Sequence, residues 1–176
     1  MELEGVDKIT AGAVGEPGER TFFIQARKDD RLVTITVEKD QVELLGTSIL
    51  EILATVGRET EEGPPEDALE LESPIEPLWR AGRLSIGYAE DRDLLLLELE
   101  ELIEEPDDDE PDASAPEVEP ASMRIWATRE QMFALARHSA AVAARGRPRC
   151  RFCGNPIDAD GHMCPAMNGH REAAAR

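Results

Sequence analysis

Lysine and cysteine are both scarce in this sequence: Lys8, Lys28 and Lys39 are the only lysines, and there are three cysteines. Basic charge is short throughout, with 19 Lys and Arg against 38 Asp and Glu, giving a formal net charge of −19 and a pI near 4.5. A phosphate backbone or an anionic membrane needs a basic face, so this balance argues against generic nucleic-acid or membrane-surface binding. No apolar run approaches the ~20 residues of a membrane span, and Met1–Asp7 has neither the basic start nor the apolar core of a signal peptide. The expected location is therefore the cytoplasm. Missing too are the Gly-Lys-Ser/Thr of a phosphate loop and any Gly-x-Ser-x-Gly element. The glycines from Gly12 to Gly18 are left to strand and turn use.

With 41% apolar residues in 176, the chain can bury one compact core and carry a small appendage. Lys8–Gly15 reads as a strand. Thr21–Arg27 and Arg31–Val37, rich in β-branched and aromatic residues and joined at Asp29-Asp30, read as a hairpin. In the second of these, Val33, Ile35 and Val37 form the face to be buried, and Leu32, Thr34 and Thr36 the half-wet face. The period then changes. Asp40 and Glu43 resemble a capping box, and Val42, Leu45, Ile49, Ile52 and Val56 repeat at helical spacing up to Gly57. Residues 59–76 are polar, proline-marked and read as a connection. A second cycle follows, with strands at Trp79–Tyr88, Leu94–Leu99 and Met123–Ala127. Thr128 and Gln131 then cap a helix on which Met132, Leu135, Ser139 and Val142 face inward, ending near Arg145 before Gly146 and Pro148.

The stretch Val37–Leu45 lies over Ala127–Leu135 without a gap, each being a strand end that runs straight into a helix. Thr10-Ala11-Gly12 corresponds more loosely to Arg80-Ala81-Gly82. The expected fold is α+β: two tandem βββα units forming an antiparallel sheet with two covering helices, plus a small C-terminal zinc-binding knuckle or ribbon. The units would span 1–58 and 77–145 within a body of 1–145, with the tail at 146–176. Between Glu98 and Glu119 there are twelve acidic residues and no basic one. Residues 104–120, which include four prolines, read as a disordered, solvated loop.

The most specific chemistry lies at the end of the chain. All three cysteines fall within fifteen residues, as Cys150-x-x-Cys153-Gly and, after ten intervening residues, Cys164. An odd count in this spacing fits reduced metal ligands better than a disulfide framework. The glycine permits a tight turn beneath two thiolates, and soft sulfur with one imidazole favours structural Zn²⁺. His170, six residues after Cys164, is the favoured fourth ligand; His162 is the alternative. Committing every cysteine to metal leaves no thiol nucleophile, so no catalytic residue is assigned and the protein is read as a binding or adaptor module. Two alternatives stay open. A metal with an open position and Asp158 or Asp160 as base would make a zinc-dependent hydrolase. Arg145, Arg147, Arg149, Arg151 and Arg171 would instead suit a nucleic-acid-binding zinc ribbon, or simply solvate a helix end. His138, on the second helix among small residues, reads as a packing or surface histidine.

Three stretches together carry a likeness. They are Ala11-Gly-Ala-Val-Gly-Glu-Pro-Gly-Glu-Arg-Thr-Phe-Phe-Ile-Gln-Ala26, the helix start Glu38-Lys-Asp-Gln-Val42, and Cys150-x-x-Cys-Gly-x-Pro-x-Asp-x-x-Gly-His-x-Cys-Pro-x-x-Asn-Gly-His170. Over nearly the whole chain the sequence resembles the bacterial domain-of-unknown-function family 3090 (DUF3090). The resemblance implies a fold and a zinc-ribbon-like tail but no reaction. It also implies protein partners, in a pathway with histidine-phosphatase-type and kinase-like proteins. The acidic stretch around Asp107–Asp109 is outside the likeness.

Overall fold

The structure, a computed structural model, describes residues 1–103, 119–145, 150–155, 157, 161–167 and 171–172. Most of the expected acidic loop, residues 104–118, lies outside them, as do Gly146 and Pro148. The elements run β1 (Glu2–Leu3), β2 (Lys8–Val14), β3 (Thr21–Lys28), β4 (Arg31–Val37), α1 (Lys39–Val56), β5 (Pro77–Ala89), β6 (Leu94–Glu101), β7 (Ser122–Thr128) and α2 (Arg129–Ala144). A small hairpin of β8 (His162–Met163) and β9 (Arg171–Glu172) follows in the tail. The class is α+β, one seven-stranded sheet with two helices.

The strand order is β1-β7-β6-β5-β4-β3-β2, and the sheet is not wholly antiparallel as expected. β4 and β5 run parallel, with Thr34 opposite Pro77 and Thr36 opposite Arg80. The cause is the crossover: β4 passes directly into α1, and the chain returns through residues 57–76 before β5, where a two-residue hairpin would have reversed it. β1 is also parallel to β7 and was not foreseen, because two residues carry no periodicity. Val6 N–H donates to the Trp126 carbonyl on β7 (3.1 Å), and the next residue, Asp7, donates to Arg27 on β3 (2.9 Å). One stretch of chain thus bonds to β7 near one edge of the sheet and to β3 near the other.

Alternation fills the core as the periodicity demands. Ile9, Ile24, Ile35, Leu97 and Ile125 from five strands meet Val42, Leu45 and Ile49 of α1 and Met132, Leu135 and Val142 of α2. The helices approach closely at Gly46, where a Cβ would lie 3.1 Å from the Ala136 carbonyl. α2 starts with the Thr128/Gln131 box expected. α1 starts earlier than expected: Glu38 is its cap, its N–H donating to the Gln41 side chain at 2.8 Å, and Asp40 lies inside the first turn. Leaving β4 at Val37 forces the turn that early.

The polar connection is more than a connection. Thr34, expected half-wet, is buried, because residues 62–72 lie across this part of the molecule. Leu69 is buried, its carbonyl accepts from Thr10 Oγ1, and Gln25 exchanges two hydrogen bonds with the Glu72 backbone (3.0 and 2.7 Å). Gly63, at φ +74, sits where a Cβ would collide with the Glu130 carbonyl of α2. At the opposite end, Asp93 (φ +51) accepts from Tyr88 Oη (2.6 Å) and Arg129 Nε (3.0 Å) and pairs with Arg58 (3.3 Å). That cluster fastens the β5–β6 turn to both helices. Among the described residues, no helix is long and apolar enough to cross a membrane.

His138 is a packing histidine, 6% exposed, between α2 and β2. Burial, then the Arg145 guanidinium, hold its pKa below the usual range; the Glu66 carboxylate, a hydrogen bond with the Ala11 backbone and Glu70 oppose them. A depressed folded-state pKa means the unfolded chain takes up the proton first. The stability it contributes is therefore full above pH ~6.5 and drains away as pH falls toward the folded pKa. Thermal melts between pH 7 and 5 should show a shallower acid limb for His138→Gln than for the wild type. For the strap formed by residues 62–72, Gly63→Ala should destabilise by ~1–3 kcal/mol in urea titration through strain and overlap. Leu69→Ala should cost about 2–4 kcal/mol.

Candidate metal centre

Local turn chemistry builds the first half of this site. Cys150 N–H donates to the Asn155 carbonyl and Gly154 N–H to the Cys150 carbonyl, both at 2.8 Å. Gly154 adopts φ +75, a conformation residues with a Cβ avoid. The turn brings Cys150 and Cys153 to one side and aims the Phe152 N–H at Cys150 Sγ, 3.4 Å away. Cys164 enters from the second half, between β8 and a 3-10 turn at Pro165–Met167.

The three sulfurs lie within 4.8 Å of one another, and Cys150 Sγ and Cys164 Sγ are 3.7 Å apart. None is in a disulfide. Cys150 and Cys164 are buried, Cys153 is half-buried, and Ile157 packs against them to make a second, separate core. Three thiolates in an apolar enclosure repel one another and lose hydration, a cost that a shared cation removes. These three cysteines can hold one metal ion.

The expected ligands are thus gathered in part. Cys150, Cys153 and Cys164 come together; His170 lies outside the described residues. His162 lies in β8 opposite Glu172, with its side chain outside the description. Asp158 and Asp160, the bases a hydrolase would need, also lie outside it, as do Arg147 and Arg149. Of the arginine patch, Arg145 pairs with Glu66 of the strap at 3.0 Å and Arg151 stacks on Phe152 at 4.6 Å. Two contributors escaped the sequence reading. Ile157 could have been noticed as the lone large aliphatic between Gly154 and His162. The Phe152 amide carries no side-chain signal at all. Among the described residues no other cluster of metal-binding side chains forms.

A family model described as protein of unknown function (DUF3090) matches residues 1–164. The matched span includes all three cysteines and His162 and ends before His170. No curated protein and no solved structure matches the chain.

Elemental analysis of protein purified without chelator should find about one metal ion per chain. Cys153→Ser should lose it while leaving the melting of the sheet body unchanged, because the two cores are separate.

Proposed function

The chain belongs to the DUF3090 family of proteins of unknown function, and from that premise we propose that it is a non-catalytic binding module whose tail is clipped by one structural Zn²⁺. The observation that carries this is the sulfur spacing. Tetrahedral Zn²⁺ with Zn–S bonds of ~2.3 Å requires ligand sulfurs about 3.8 Å apart, and Cys150 and Cys164 stand at 3.7 Å. The Phe152 N–H···S bond fixes the direction of the Cys150 sulfur, as the outer shell of a metal site does.

His170 is the proposed fourth ligand, with His162 as its competitor. The β8–β9 pairing supports His170: Arg171, the residue after it, is paired with Met163, the residue before Cys164. Four protein ligands close the coordination sphere, leave no position for substrate water, and make the ion a clip. Reduced thiols of this kind suit the cytoplasm. The Arg145–Glu66 pair supports reading the basic patch as a contact to the acidic body in preference to a nucleic-acid surface.

The body is proposed to be two βββα units, 1–58 and 77–145. Hydrogen bonds from two matching glutamines support the repeat. Gln41 of the first helix donates to the carbonyls of Ala81 (3.3 Å) and Gly82 (3.2 Å) in β5, and its counterpart Gln131 donates to Val6 just before β2 (2.8 Å). Gln41 thereby reaches the first long strand of the other unit, and Gln131 reaches the residue two before β2.

Substitution with Co²⁺ gives the test. The visible spectrum should be that of a tetrahedral thiolate site, unmoved by azide or by pH between about 6 and 9. A spectrum that shifts with azide or titrates would reveal an exchangeable position and replace the clip with the hydrolase reading.

A further inference from the structure

Each helix lies beside a strand edge, but only one of the two grooves so formed is filled. Between α2 and β2 the chain inserts its own 62–72 stretch, which makes a 3-10 turn at Glu66–Leu69, with Leu69 buried and Glu66 paired to Arg145. Its backbone reaches the strand as well: Lys8 and Thr10 donate to the Glu70 and Leu69 carbonyls. α1 runs along the second half of β5 in the same sense, and there nothing among the described residues occupies the gap.

The gap arises from the parallel junction. β4 pairs with β5 only as far as Arg80. From Arg83 to Ala89, β5 bonds to β6 on one side, and its main-chain groups on the other side have no backbone partner among the described residues. Such an edge is a ready template for another strand unless it is blunted by charge, proline or cover. Two cavities of about 270 and 670 Å³ run along it and share Ile86. Leu44 and Leu84 bound the first; Ile52, Val56 and Tyr88 bound the second. Leu44 is 67% exposed, and a Cβ on Gly87 would meet nothing within 4 Å. At the wider end stand Glu51 and Glu90, exposed and without an ion-pair partner among the described residues. Arg58 does not offset them, because Asp93 holds it at 3.3 Å.

We infer that the α1–β5 groove binds an extended segment of a partner protein, which adds to β5 as a strand, lays apolar side chains toward Ile86 and Leu44, and sets a basic residue against Glu51 and Glu90. Main-chain pairing supplies affinity and the alternate side-chain positions supply selectivity. A second copy of this chain fits less well, since its own α1 accompanies its β5 edge and would meet the first α1. The assignment rests on the binding-module reading and names the chemistry of what is bound.

The test uses the full-length, metal-loaded protein and an acetylated, amidated heptapeptide of alternating valine and lysine. Titration followed by amide NMR should shift Arg83–Glu90 and the facing residues of α1. Gly87→Tyr and Leu44→Ser, both at open positions, should weaken binding by about tenfold or more with unchanged melting. No shift at millimolar peptide, equal affinity in Gly87→Tyr, or equal binding of a valine–glutamate heptapeptide overturns the assignment. A sedimenting dimer that Gly87→Tyr dissociates also overturns it, in favour of a second copy. An azide-sensitive Co²⁺ spectrum would end the binding-module reading through the tail alone, so the two failures are distinguishable.

Discussion

Gln41 and Gln131 each accept a hydrogen bond that closes the first turn of a helix and, from the same side chain, donate to distant main-chain carbonyls, Gln41 to Ala81 and Gly82 of β5 and Gln131 to Val6 just before β2. Helices that grow directly out of β4 and β7 need such a tether, because a single-residue junction fixes where a helix starts but not where it goes. Once Gln41 is bound at Ala81 and Gly82, α1 must travel along β5. Once Gln131 is bound at Val6, α2 must travel along β2. The inward faces of both helices then meet at Gly46 and Ala136, and the layered core follows from that placement. The same tethers leave a groove beside each strand, one closed by residues 62–72 and one left open.

Much of the body was legible because long alternating or helical runs have one way to bury their apolar face. The strands at Thr21–Lys28 and Arg31–Val37, Val42, Leu45 and Ile49 of α1 and the inward residues of α2 follow from spacing alone, whereas the last turns of α1 bury Leu53 and leave Ile52 and Val56 half-buried. What escaped depended on distant partners. β1 exists because β7 is there to pair with two residues. The parallel β4–β5 junction reflects where a crossover returns, which local pattern does not encode. The strap at 62–72 looked like a solvated linker, yet a few well-placed groups, Gly63, Leu69 and Glu72, dock it. The start of α1 was misplaced by two residues, since Glu38 is an unusual cap and Asp40 an ordinary one.

At the tail, cysteine spacing told which sulfurs would meet, since Cys-x-x-Cys-Gly specifies its own turn. It did not tell what seals them: Ile157 and the Phe152 amide act through packing and a backbone donor. The separation of the two cores matters for function. The proposed metal clip, with its own small core, would order the tail without involving the sheet. The acidic body is then left to present its grooves, and the basic end of α2 is turned onto Glu66.

X-ray absorption at the zinc edge of the native protein tests whether the proposed metal is fully enclosed by protein. Three sulfurs at ~2.3 Å and one nitrogen at ~2.0–2.1 Å are expected, with the outer-shell scattering of a single imidazole. Light-atom scattering without the imidazole signature, or a shell that changes when an anion is added, would contradict the enclosure.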